Sequence, residues 1–120
     1  MAKLNLVAAT RWAGSAGGFA TFPVLVGLCV SDEAGHGLAG LPRDAFEVRY
    51  LDDPDNGAVE AAVTFFRELD GGAGKYELVF TAGPEGQHFR QDELFVYLSV
   101  ASGGDTGHAV TAAHYHVFGP

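Results

Sequence analysis

Residues 45–52 read AFEVRYLD, with Phe46, Val48 and Tyr50 on one side and Glu47 and Arg49 on the other. Successive side chains of an extended chain point to opposite faces, so this period of two predicts a strand with one dry and one wet face. The same period recurs on both sides. Residues 3–9 carry Leu4 and Leu6 on one face, and FPVLVGLCVS (22–31) enters through Pro23, where a missing N–H is tolerated. Downstream, KYELVFTA (75–82) aligns Tyr76, Leu78 and Phe80, and DELFVYLSVA (92–101) and HAVTAAHYHVF (108–118) follow. The run 58–69, AVEAAVTFFREL, suits a helix by its alanines, but Val63-Thr64-Phe65-Phe66 favours a strand. Seven runs separated by Gly, Pro and Asp clusters predict two packed antiparallel sheets.

The totals agree with one domain over residues 1–120. Nine Phe and an apolar fraction of 48% are enough for a core, and seventeen Gly imply many turns. Seven basic against fifteen acidic residues give a net charge of −8, which opposes phosphate backbones and anionic lipid, so neither nucleic acid nor a membrane surface is an expected partner. Cys29 stands alone and allows no internal disulfide, which excludes a stapled secreted scaffold. The start MAKLNLVAAT has too short an apolar run for a signal peptide, and nothing later reaches the length of a membrane span. The chain as it stands is expected in the cytoplasm, or as an excised piece of an exported or assembly-associated protein.

Between the second and third strands lies VSDEAGHGLAGL (30–41), with an acid pair, a histidine and three glycines within its first eleven positions. A strand ending at Cys29-Val30, then Ser31-Asp32, a turn at Gly35, Gly40-Leu41 and a new strand at Phe46 make a pattern. With GKYELVF (74–80) and DELFVYLSV (92–100), it resembles bacterial immunoglobulin-like and invasin-type modules and the related macroglobulin-like and filamin-like sandwiches. The resemblance covers most of residues 20–118. It implies an immunoglobulin-like antiparallel β-sandwich of about seven strands and a binding, adhesion-type or assembly role. On this reading the loop is structural: Asp32 accepts backbone amides, Gly35 takes positive φ, and Leu41 tucks into the core.

Motifs for chemistry are fragmentary. GGAGKY (71–76) lacks the spaced first glycine of a phosphate loop and has Tyr76 where Ser or Thr is required. WAGSAG (12–17) misses a nucleophile elbow because Ala13 occupies a glycine position. Asp52, Asp53, Asp55 and Glu60 in LDDPDNGAVE do not meet the calcium-loop order and read as a solvated acidic loop.

The last two strands carry the distinctive surface. In a hairpin closed by SGGDTG (102–107), a symmetric register sets Leu94 near Tyr115, Phe95 near His114 and Glu93 near His116. Leu94, Val96, Leu98 and Val100 then face the core, and Phe95 and Tyr97 join His114 and His116 outside. Two imidazoles on one side of a strand lie about 7 Å apart, so His114, His116 and Glu93 form a candidate divalent-metal set. A strand apolar on both faces must also be covered, either by RWAGSAGGF (11–19) or by another chain. The expected activity is therefore noncatalytic: a structural, decoration or adhesion-type module without a required cofactor. It contacts a second copy of itself or another protein through Phe95, Tyr97, His114 and, if Phe65 points inward, Phe66. The other classes are a carbohydrate or small-ligand binder stacking on Trp12, Tyr97 or Tyr115, and a metal-dependent enzyme using the His-x-His pair.

Overall fold

The computed structural model describes residues 3–17, 22–51, 57–71, 73–82 and 93–118, with the side chains of 15–17 and 116–118 excepted. Among the described residues ten strands run in chain order: β1 (Asn5–Ala13), β2 (Ser15–Gly17), β3 (Phe22–Ser31), β4 (Phe46–Leu51), β5 (Val59–Glu60), β6 (Ala62–Glu68), β7 (Lys75–Ala82), β8 (Glu93–Ser102), β9 (Asp105–His114) and β10 (His116–Phe118). One turn of 3-10 helix, Arg43–Ala45, leads into β4. The strands form two antiparallel four-stranded sheets, ordered β1-β3-β7-β6 and β5-β4-β8-β9, and a short parallel pair, β10-β2. The protein is an all-β sandwich.

Alternation builds the core as expected. Val24, Val26, Leu28 and Val30 of β3 face Leu94, Val96, Leu98 and Val100 of β8 across the sandwich, all at most 3% exposed. Tyr76, Leu78 and Phe80 of β7 and Val48 and Tyr50 of β4 complete the layer. Aromatic rings fill its middle, with Tyr50 stacked on Phe80 at 5.8 Å and Phe22 against Tyr115 at 5.0 Å. Offset or tilted ring pairs at such distances add to the burial itself.

Three local features depart from the simple pattern. First, residues 58–69 are strand, not helix, but they are two strands: β5 pairs with β4 and β6 with β7, so the chain changes sheets at Ala61. The Ala61 N–H donates to the Val48 carbonyl at 2.9 Å, which satisfies the backbone at the crossing. Second, β1 runs on through Arg11 to Ala13, past the run 3–9 that alternation marks in the sequence. A bulge inserts Arg11 between Thr10, paired with Val26, and Trp12, paired with Leu25. Third, the β8–β9 hairpin is tighter than the symmetric register. Ser102 pairs with Asp105 around Gly103 and Gly104, both at positive φ (60° and 89°), so Glu93 meets His114, Leu94 meets Ala113 and Phe95 meets Ala112. Two consecutive positive φ values suit the twist of a two-residue hairpin loop, and glycine adopts them without strain. The slip is two residues along β9, so each side chain keeps its predicted face.

The 30–41 loop is built as a structural turn. Asp32 Oδ1 accepts the amides of Ala34 and His36, each at 2.9 Å, and Gly35 sits at φ +86°. The loop then packs on the β6–β7 turn, where a Cβ at Gly37 would come within 2.1 Å of the Ala73 carbonyl. Leu38 and Leu41 are half-buried against the core. Between them reaches the phenol of Tyr76, whose hydroxyl donates to the Leu38 carbonyl at 2.5 Å and accepts the Leu41 amide at 3.1 Å.

Two predictions follow from this loop. Tyr76→Phe removes a donor and leaves the Leu41 N–H unpaired, an expected loss of about 1–3 kcal/mol read from urea unfolding. Burial raises the Tyr76 hydroxyl above its ordinary value of 10.0, so its contribution is complete below that pH and is lost as pH climbs through the higher folded value. Asp32 runs the other way. The His36 amide, aided by the imidazole and the Ala34 amide, holds its carboxyl below the ordinary 3.8. The stabilisation it gives is complete above that value and disappears as pH falls through the folded one. Asp32→Asn should therefore flatten the acid limb of a plot of urea midpoint against pH; an unchanged limb would show that Asp32 does not contribute.

Candidate functional site: the outer face of the β5-β4-β8-β9 sheet

Each sheet has a core face and an outer face, and the register fixes what stands side by side on the latter. On the β5-β4-β8-β9 sheet one outer row runs Leu51–Phe95–Ala112 and the next Glu60–Arg49–Tyr97–Val110. Beyond them come Glu47–Ser99–His108 on one side and Glu93–His114 on the other. Phe95 and Tyr97 are each 38% exposed and Val110 is 59% exposed, although their neighbours on β8, Leu94, Val96 and Leu98, are at most 2% exposed. Charges frame this apolar centre. Arg49 reaches Glu47 at 3.0 Å, and the His114 imidazole lies 3.2 Å from Glu93. Both are exposed or half-exposed pairs, which orient side chains more than they stabilise the fold. Glu47, Arg49, Tyr97, Ser99 and His108 line a shallow depression on this face.

Of the residues singled out in the sequence, Phe95, Tyr97 and His114 lie together here, with Glu93 beside His114. Phe66 does not. It belongs to β6 in the opposite sheet and points inward, stacked on Tyr76 at 5.7 Å and tilted against Phe46 at 5.4 Å. A bulge at Thr64, between Val63 and Phe65, shifts the alternation, so Phe65 is the outward ring, 47% exposed. The metal set also changes. Glu93 pairs with His114 instead of His116, and His116 lies on β10, which leaves the sheet to pair with β2. Its side chain is outside the described residues, as are Asp52, Asp53 and Asp55 of the acidic loop. Among the described residues no three His, Cys, Asp or Glu side chains converge.

The three rings considered for carbohydrate stacking separate onto three surfaces. Tyr97 is on this outer face, Trp12 on the outer face of the other sheet, and Tyr115 in the core at 4% exposure. The covering role considered for residues 11–19 is not taken by Arg11–Ala13, because β1 pairs with β3 in the opposite sheet. Val110, the most exposed apolar residue of the face, carried no signal of its own in the sequence. Its place beside Tyr97 follows only from the hairpin register.

No family model, no curated protein and no solved structure matches this chain. No helix among the described residues is long and apolar enough to cross a membrane.

Among the described residues the set supplies two ligands, Glu93 and His114, too few by themselves for tight zinc binding. Tag-free protein titrated with zinc is thus expected to show no stoichiometric uptake. A one-to-one complex abolished by His114→Ala and by His116→Ala alike would assign the third ligand to His116.

Proposed function

We propose that this chain is a noncatalytic protein-interaction or assembly module that works through the outer face of the β5-β4-β8-β9 sheet. The observation that carries the reading is the double apolarity of β8. Its inward side chains are fully buried, and its outward Phe95 and Tyr97, with Val110 alongside, form an exposed apolar centre within a polar rim. Central aromatic residues surrounded by polar groups are the common composition of protein–protein contacts. Cross-strand neighbours such as Ala112 and Val110 cover these rings only in part, so each still presents apolar surface to water.

The fold supports the same class. The sheet order β1-β3-β7-β6 facing β4-β8-β9, with β5 added at the end, supports an immunoglobulin-like reading of the sandwich. Together with the loop pattern around Asp32, Gly35 and Leu41, it favours the immunoglobulin-like type and the resemblance to invasin-type modules. By analogy that resemblance favours binding over catalysis, and the exposed face supplements the analogy with chemistry.

The test is the double variant Phe95→Ser, Tyr97→Ser. Both positions are solvent-facing, so the unfolding midpoint should move little, whereas self-association or partner contact should weaken on the order of 100-fold. Light scattering and partner titration that match the wild type in every respect would remove this face from consideration.

A further inference from the structure

The other broad face of the sandwich is apolar too. On the β1-β3-β7-β6 sheet one outward row runs Trp12–Leu25–Val79–Phe65 across all four strands, a span of about 14 Å at the ordinary strand spacing. Its ends are the most open, with Trp12 at 55% and Phe65 at 47% exposure. The two bulges create this row: Arg11 brings Trp12 outward, and Thr64 does the same for Phe65.

The charges on the two faces differ in sign. Among the described residues, Arg67, Lys75 and Arg11 lie on the face of the Trp12–Phe65 row against a single carboxylate, Glu77. Arg67 pairs with Glu77 at 2.7 Å and lies 6.0 Å from the Phe65 ring centre. The Arg11 guanidine lies over Gly27, where a Cβ would meet its Nε at 2.7 Å, so it too sits on this outer surface. On the Phe95–Tyr97 face the balance is reversed, with Glu47, Glu60 and Glu93 against Arg49 and with His108 and His114 nearby. In a chain of net charge −8, three of seven basic residues are gathered on one face.

The geometry points to a second copy of this chain as the occupant, stacked head to tail: the Trp12–Phe65 face of one copy on the Phe95–Tyr97 face of the next. This inference rests on the proposed interaction face and names its partner. Pairing like faces would set cations against cations or carboxylates against carboxylates, whereas pairing unlike faces neutralises both around two apolar centres. The Cα framework measures 49 × 29 × 19 Å, so either broad face can provide the roughly 800 Å² per partner of an ordinary stable contact. A contact between two different patches leaves one of each free at the ends. Such stacks grow into open rows instead of stopping at a dimer.

Complementation between disabled faces tests this. Trp12→Ser with Phe65→Ser disables one face, and Phe95→Ser with Tyr97→Ser disables the other. Wild-type protein at low salt should show a concentration-dependent series of species in sedimentation velocity, shortened by added salt. Each double variant alone should be monomeric, its self-association weakened on the order of 100-fold. An equimolar mixture should give dimers and nothing larger, because only one intact pair of faces remains. Dimers of the Trp12/Phe65 variant alone would overturn the stacking while leaving the Phe95–Tyr97 face as an interface. Dimers of the other variant alone, a mixture that stays monomeric, or a wild type that is monomeric at low salt would each overturn it as well. Should a serine variant fail to fold, Lys75→Glu and Glu47→Lys keep the test open, since both side chains are exposed. Each charge reversal alone should weaken association about tenfold, as expected for charges at a contact's rim, and mixing the two should recover part of the loss; no effect of either counts against stacking.

Discussion

The hydroxyl of Tyr76 sets the constraint around which one end of the sandwich is organised. A phenol buried this completely must find partners for its oxygen, and it finds them in the Leu38 carbonyl and the Leu41 amide. That pair of bonds fastens the crossing from β3 to β4 onto β7, which belongs to the first sheet, and so fixes where the second sheet begins. The ring then serves as a floor for Phe46 and Phe66, one from each sheet. Asp32 and the glycines at 35, 37 and 74 act in the same place, folding the loop tightly enough for Leu38 and Leu41 to reach the phenol.

Much of this was legible in the sequence, because burial on one face enforces a period of two. AFEVRYLD, KYELVFTA and DELFVYLSVA are strands with their expected inner faces, and the loop roles of Asp32 and Gly35 follow from turn chemistry alone. The illegible parts are those where alternation is broken by a backbone event. Arg11 and Thr64 are bulged, and nothing in their side chains announces it, so Trp12 and the order of Phe65 and Phe66 were not readable. Likewise the change of sheet at Ala61 depends on a hydrogen bond to a residue thirteen positions earlier. The hairpin register was within reach. Gly103-Gly104 is a two-residue loop signal, and placing it at the apex would have paired Glu93 with His114 directly.

The candidate site was legible to the extent that it depends on faces and not on register. A two-residue slip along β9 leaves Phe95, Tyr97 and His114 on the same side, while Glu93 comes to pair with His114 and His116 passes to β10. Chemistry that needs convergent side chains is sensitive to a shift of one residue pair, roughly 7 Å along a strand. A docking face tolerates it. Both broad faces combine exposed rings with charge, and their opposite signs emerge only once the sheet order is known, since Arg67 and Lys75 come from β6 and β7 and Glu47 and Glu60 from β4 and β5.

The bulges at Arg11 and Thr64 have one more consequence. They lie on β1 and β6, the two outermost strands of their sheet, while the other sheet ends in the two-residue β5 and in β9, whose start is bridged by Lys3 and Leu4. An irregular or very short border is a poor template for a foreign strand, so cross-β growth of the amyloid kind is disfavoured at β1, β5 and β6. A β-rich chain shielded in this way can present apolar rings on its broad surfaces without inviting fibrillar misassembly through its backbone.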